Sequence, residues 1–330
     1  MKIDTKLIKE NFTKHYGKDE NGLKCYKSCC GVVLYGVGLE NSGHCMGGLS
    51  LSVDTNVVIK EKEDKEFHII CADKNILYES DTENLNSFTG EKLPKALFNA
   101  CAMLKGKMNG ADILIEYSVL DKIFKRPLLS LISGLGIFNK GKVPDLETVK
   151  YMLEKSDEKS YSFLPAELYG RKNTLVSRKN DGSWEYLPFN LTDYKMVLSY
   201  IDKKGIDISE KLTEKYIVNE NKRVEQIKNE IMNKNGITEE IGKLMKESAY
   251  ELFDLLGKNS EDLAKMYRIS EETNMATAIV PVYSIGGICA FVKDEDVDAY
   301  GEIISKEYQK KVGAMPTLCI CDSDDSGVEI

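Results

Sequence analysis

Three stretches of this chain carry polar side chains that could do chemistry. The first is the turn Gly36-Val37-Gly38-Leu39-Glu40-Asn41-Ser42-Gly43-His44-Cys45-Met46-Gly47-Gly48. Glycines let a backbone bend sharply and approach a ligand closely. Glu40 could accept two hydroxyl hydrogen bonds there, beside Asn41, Ser42, Gly43 and His44. The second stretch is Leu120-Asp121-Lys122-Ile123-Phe124-Lys125-Arg126-Pro127-Leu128-Leu129-Ser130. Lys122, Lys125 and Arg126 offer cations, and Ser130 a hydroxyl, to a phosphate; the same residues also read as a solvated basic turn. Pro127 suits the first turn of a helix. In the third, Ser160-Tyr161-Ser162-Phe163-Leu164-Pro165-Ala166-Glu167-Leu168-Tyr169-Gly170, Glu167 is the one carboxylate. It reads either as a general base or as an ordinary surface residue of a helix.

The elements that must position these residues follow from periodicity. Leu7, Ile8 and Phe12 give an opening helix over 3–16, closed by Gly17. Residues 29–35, 49–60, 66–72 and 112–120 read as strands, with Glu61-Lys62-Glu63-Asp64-Lys65 as a charged hairpin tip. Leu93, Ala96, Leu97, Ala100, Cys101 and Leu104 make one apolar stripe, a helix over 92–105. Further helices are expected at 128–138 and 145–154, and a strand pair at 174–178 and 184–189. From Thr192 the pattern becomes helical: 192–204, about 209–233, and 238–256. A strand pair at 277–283 and 286–293 follows, then a helix begun by Asp294 and a last strand over 317–321. This change of character places two domains, 1–190 and 191–330.

Composition narrows the class. The chain has 330 residues, 45 Lys and Arg against 53 Asp and Glu, and a net charge of −8. An acidic surface repels phosphates, so nucleic-acid binding is not expected. No apolar run approaches the roughly 18 residues of a membrane span, and the N-terminus Met1-Lys2-Ile3-Asp4 lacks a signal-peptide core. A cytoplasmic protein is expected. The nine cysteines form no Cys-x-x-Cys pair, and there are three histidines. A finger-type zinc site therefore lacks its ligands, no metal is expected, and the cysteines read as small buried hydrophobes.

The order of these motifs resembles a galactokinase of the GHMP kinase superfamily from end to end. The run Ser28-Cys29-Cys30-Gly31-Val32-Val33-Leu34-Tyr35-Gly36-Val37-Gly38-Leu39-Glu40-Asn41-Ser42-Gly43-His44 is similar to A-P-G-R-V-N-L-I-G-E-H-T-D-Y-N-G-G. Ile241-Gly242-Lys243-Leu244-Met245-Lys246-Glu247-Ser248 resembles L-G-x-L-M-x-x-S. Ser284-Ile285-Gly286-Gly287-Ile288-Cys289-Ala290-Phe291-Val292-Lys293 looks like G-x-G-F-G-G-C-A-V-A-L-V. The resemblance implies a mixed α/β (α+β) fold, with an N-terminal ribosomal-S5-domain-2-like α/β domain and a C-terminal ferredoxin-like domain. The active site of active relatives would lie between them.

The departures from the family pattern bear on its chemistry. The family's phosphate loop, P-x-G-x-G-L-S-S-S-A, falls on 120–130, where every glycine is replaced. Side chains there obstruct a cradle of amides around phosphates. The Arg of A-P-G-R falls on Gly31, and the catalytic Asp of G-I-M-D-Q-F-A-S on Phe163 or its neighbours. Gly286 and Gly287 remain, with Pro281-Val282-Tyr283 before them, and read as a tight turn between strands. Each such loss would cost roughly 10²–10⁴ in rate. The resemblance thus implies a non-catalytic pseudokinase with no catalytic residue and no cofactor. It would bind a sugar or polyol through Glu40, Asn41, Gly43 and His44, or serve as a protein partner or homodimer. The alternative is an active sugar kinase using Mg-ATP, with Lys122, Lys125, Arg126 and Ser130 rebuilt around the phosphates and Glu40 or Glu167 as the base. In Tyr216-Ile217-Val218-Asn219-Glu220-Asn221-Lys222-Arg223, similar to the family's Y-N-x-R-R helix, Val218 would take the sugar-facing position, with Tyr216 on another face.

Overall fold

The computed structural model describes residues 4–17, 20–39, 45–118, 124–154, 164–179, 181–201, 205–208 and 211–330. Two antiparallel-rich sheets organise it. The first contains β1 (Lys24–Tyr35), β2 (Gly47–Lys62), β3 (Glu66–Cys71), β4 (Ile76–Asp81), β5 (Gly110–Tyr117), β6 (Thr174–Arg178), β7 (Trp184–Pro188) and β12 (Val328–Glu329). Its order is β12-β1-β2-β5-β3-β4, with the β6–β7 hairpin joined to β2. β3 and β5 run parallel, and helix α2 (Lys92–Leu104) lies in the connection between β4 and β5.

Strand alternation divides this sheet's faces. Val57, Ile59, Phe67, Ile69, Cys71, Ile113 and Ile115 pack with Leu97, Phe98 and Cys101 of α2 and with α3 (Pro127–Lys140). The residues between them, Val58, Ile70 and Leu114, point the other way, onto Ile8 and Phe12 of α1 (Thr5–Tyr16). Side chains alternate across a strand, so one run of sequence serves both faces. Residues 128–136 of α3 are buried throughout, as expected of a helix that is apolar all round. Gly134 lets it press on Tyr26, since a Cβ there would sit 3.3 Å from the ring.

The second sheet, ordered β11-β8-β10-β9, is antiparallel throughout. It consists of β8 (Tyr194–Tyr200), β9 (Ala276–Val282), β10 (Gly287–Lys293) and β11 (Thr317–Cys321). The helix expected over 192–204 is therefore a strand in its described part. Met196, Val197 and Leu198 are all buried, because β8 is central and covered on both faces. Such a run lacks the alternation of a half-exposed strand, so periodicity could not distinguish it from a helix. Helix α8 (Glu261–Glu272) has no counterpart among the elements expected from sequence. It packs with α9 (Val297–Val312) on the face bearing Val197, Ile279 and Ile288.

The opposite face meets α6 (Glu214–Lys234), α7 (Glu239–Leu256) and the first sheet. Leu198, Val280, Cys289 and Phe291 share one core with Val32, Leu34, Leu49, Leu51, Ile227 and Met245. After β11 the chain returns to the first sheet. Ser323 bridges Leu51, and β12 pairs with β1. No helix among the described residues is long and apolar enough to cross a membrane.

Candidate functional site

Two places border elements of the second sheet's side: the approach to α3, where Phe124 packs edge-on to Tyr200 of β8, and the turn after β1, which meets α6. Of the residues expected to act there, Lys122, Glu40, Asn41, Gly43 and His44 lie outside the described residues. At α3, Pro127 occupies the first turn as expected. Arg126 precedes it and is 4% exposed, so it is not part of a solvated basic turn. Its Nε lies 3.3 Å from Oε1 of Glu167, which is fully buried in α5 (Leu164–Tyr169). Glu167 is thus not the surface residue that its helical position allowed.

The pair is held on several sides. Arg126 donates its backbone N–H to Thr55 Oγ1 (3.3 Å) and an Nη1 hydrogen to the Lys125 carbonyl (3.2 Å). Ser326, from the returning C-terminal segment, donates its hydroxyl to the Glu167 carbonyl and accepts the Cys29 N–H at 2.7 Å. Lys125 turns away, 2.7 Å from Asp73 and over the Tyr117 ring at 5.0 Å. Ser130 is 1% exposed, and its hydroxyl has no hydrogen-bond partner among the described residues. Beside them, Cys30 donates its thiol to the Phe124 carbonyl at 3.4 Å, and burial pushes that thiol up to about 12.

At the turn, Gly36 and Gly38 take positive φ, +73° and +84°. A Cβ on Gly36 would stand 2.5 Å from the Cys45 carbonyl oxygen. Val37 and Leu39 are buried, and a Cβ on Gly38 would meet Leu212 at 2.9 Å. An apolar cover therefore lies over the described part of the turn. The Gly36 N–H donates to Glu220 Oε1 at 3.0 Å. Glu220, 1% exposed, also accepts from Arg223 Nε at 2.8 Å, and Arg223 reaches Glu251 at 2.8 Å. Tyr216 donates its hydroxyl to the Val37 carbonyl at 2.9 Å and lies 3.4 Å from Ser248 Oγ. A small cavity between Glu220, Ser248 and Tyr283 adjoins these groups; burial raises the Tyr283 hydroxyl well above its ordinary value.

This helix corrects one assignment. Val218 is 49% exposed, while Tyr216 is fully buried and reaches the turn. Tyr216, Glu220, Arg223, Val224 and Ile227 follow i, i+4, i+7, i+8 and i+11, one helix face. That spacing is a sequence signal for Glu220 and Arg223, which the motif comparison passed over.

Proteins of similar fold are found among solved structures. The galactokinase of Lactococcus lactis, in complex with galactose, superposes with a TM-score of 0.77 over 99% of each chain, at 16% identity. The chain has the fold of the GHMP kinases. The mevalonate kinase of Methanococcus jannaschii matches with a TM-score of 0.65 at 16% identity, over 93% of this chain and all of its own. The mevalonate-3-kinase of Thermoplasma acidophilum with mevalonate bound gives 0.57 at 13% identity, over 92% and 97%. No family model and no curated protein matches the sequence. Within this GHMP kinase fold, Arg126 engages Glu167 at one place and Glu220 engages Arg223 at the other.

Proposed function

We propose that this GHMP-fold chain is a non-catalytic, galactokinase-like protein that binds a small hydroxylated ligand, a sugar or polyol, and acts in the cytoplasm as a binding or regulatory protein. The observation that carries this reading is the buried Arg126–Glu167 pair. Phosphoryl transfer needs cations and amides free to meet phosphates, and often a base free to take a hydroxyl proton. Arg126 is one of the cations, and Glu167 one of the carboxylates, that the matching stretches offer, and these two neutralise each other inside the protein. The segment before α3 also lacks the glycines of an amide cradle in its sequence.

The ligand side of the proposal rests on the turn 36–48. Glu40 stands where the resembling family has its sugar-binding carboxylate, and Asn41, Gly43 and His44 adjoin it. Glu220 and Tyr216 fix the base of that turn through Gly36 and Val37. Thermal shift with galactose, other sugars, ADP and Mg-ATP tests both halves. A sugar at 100 times its Kd should stabilise the fold by about 2.7 kcal/mol, and Mg-ATP should leave it unchanged. Glu40→Gln should weaken the sugar about tenfold or more with an unaltered melting temperature, consistent with losing hydrogen bonds to a charged acceptor. A shift with Mg-ATP would favour an active kinase instead, and an unchanged affinity in Glu40→Gln would remove the sugar site.

A further inference from the structure

A second polar cluster lies on paired strands β1 and β2, next to the Arg126–Glu167 pair. Cys29 on β1 and Asp54 on β2 are register partners, beside the irregularity that follows Cys29 in β1. Asp324 reaches them from the returning C-terminal segment, where its carbonyl accepts the Ser50 hydroxyl. One ligand atom from each of Cys29, Asp54 and Asp324 lies within 4.8 Å of the others. Cys29 is 1% and Asp54 3% exposed. Oδ1 of Asp54 has no hydrogen-bond partner among the described residues. A buried carboxylate oxygen left unpaired is costly, and here it belongs to the same cluster as a thiol and a second carboxylate.

We propose that Cys29, Asp54 and Asp324 bind a divalent cation of the zinc class, which fastens the C-terminal segment to the first sheet. The donor set fits: zinc takes thiolate sulfur at about 2.3 Å and carboxylate oxygen at about 2.0–2.2 Å. Tetrahedral ligands at those lengths are about 3.5 Å apart, so small rotamer shifts close the present spacing. The charge also fits. A thiolate and two carboxylates carry three negative charges, and Lys27, 2.8 Å from Asp324 Oδ2, returns one positive. A divalent ion neutralises the remaining two without displacing the lysine. Binding releases the Cys29 proton to solvent as the sulfur–metal bond forms, in place of the hydrogen bond from Sγ to the Asp325 carbonyl (3.2 Å). Three protein ligands leave a fourth position to water, on the side where Asp324 is partly exposed. Magnesium, which prefers an all-oxygen shell, suits this set poorly.

Cadmium is the probe, because a cadmium–thiolate bond absorbs in the ultraviolet. Titrating the full chain with Cd²⁺ should give a charge-transfer band that saturates at one equivalent. The band should vanish in Cys29→Ser and persist in Cys319→Ser, a partly exposed thiol on the other sheet. Asp54→Asn keeps the side chain's shape and should weaken Cd²⁺ by at least the tenfold typical of even outer-shell losses. Zn²⁺ should raise the wild-type melting temperature, and Mg²⁺ should not. If Cys29→Ser fails to fold, the Asp54→Asn affinity decides. No saturating band in the wild type, a band retained in folded Cys29→Ser, or equal affinity in Asp54→Asn would each overturn the proposal.

Discussion

The N-terminus of α3 and the turn after β1 are two candidate places in this fold, and their polar groups are engaged in different ways. At α3 a cation and a carboxylate are enclosed together, 5% and 0% exposed at their side chains. At the turn an apolar cover of Val37, Leu39 and Leu212 lies outside, and one carboxylate, Glu220, holds the backbone from beneath. At the first, the guanidinium of Arg126 is engaged by a buried carboxylate. The second keeps a fixed backbone leading into Glu40 and its neighbours. Charge that is matched inside a protein stabilises only as a pair, whereas a carboxylate bound to a backbone N–H positions a loop.

The largest effect should come from breaking the pair at α3. Arg126→Ala leaves Glu167 buried without its cation, so urea unfolding should show a loss of about 3–5 kcal/mol. Arg126→Met combined with Glu167→Leu should recover most of it, because replacing both charges removes the desolvation cost. A mild single mutant would mean that the pair is not enclosed as described.

The neighbouring Asp54 adds a pH test. Burial pushes its carboxyl up to about 6, against about 3.9 when unfolded. A raised carboxyl favours the folded state fully below its unfolded value, and that contribution is lost as pH rises through about 6. With a chelator present, Asp54→Asn should therefore match wild type near pH 4 and melt higher at pH 7, by up to about 3 kcal/mol in stability. Equal melting temperatures across that range would contradict the assigned burial.

At the turn the effects should be smaller. Glu220→Gln weakens charged bonds to Gly36 and Arg223 and should cost about 1.5–3 kcal/mol. Tyr216→Phe removes one bond to Val37 and should cost about 0.5–1.5 kcal/mol. If both also weaken a bound sugar, the turn's geometry and its ligand are coupled; an unchanged affinity would show that positioning by Glu220 is irrelevant to binding. Smallest of all is a labelling difference. Iodoacetamide at pH 8 should reach the partly exposed Cys319 before Cys30, which is buried and held protonated.

Much of this architecture was legible because local patterns carry it. The stripe from Leu93 to Leu104 and the faces of α6, α7 and α9 announce helices on their own. The strand β8 was not legible, since a central strand and a buried helix share the same apolar run. The polar stretches could be named from the sequence, but the pairing within them could not. Nothing local indicates that Arg126 meets Glu167, or that Ser326 closes over them, because tertiary pairing alone brings them together. Tyr216 and Glu220 were within reach of helical spacing, whereas the motif comparison drew attention to Val218.

The most direct test of the central claim is a coupled ADP-release assay on the intact chain, with Mg-ATP and a panel of sugars and small alcohols. The buried Arg126–Glu167 pair predicts no turnover above the uncatalysed background, for wild type and for Glu167→Gln alike. Turnover on the order of 1–100 s⁻¹, abolished by Glu167→Gln in a folded protein, would contradict it.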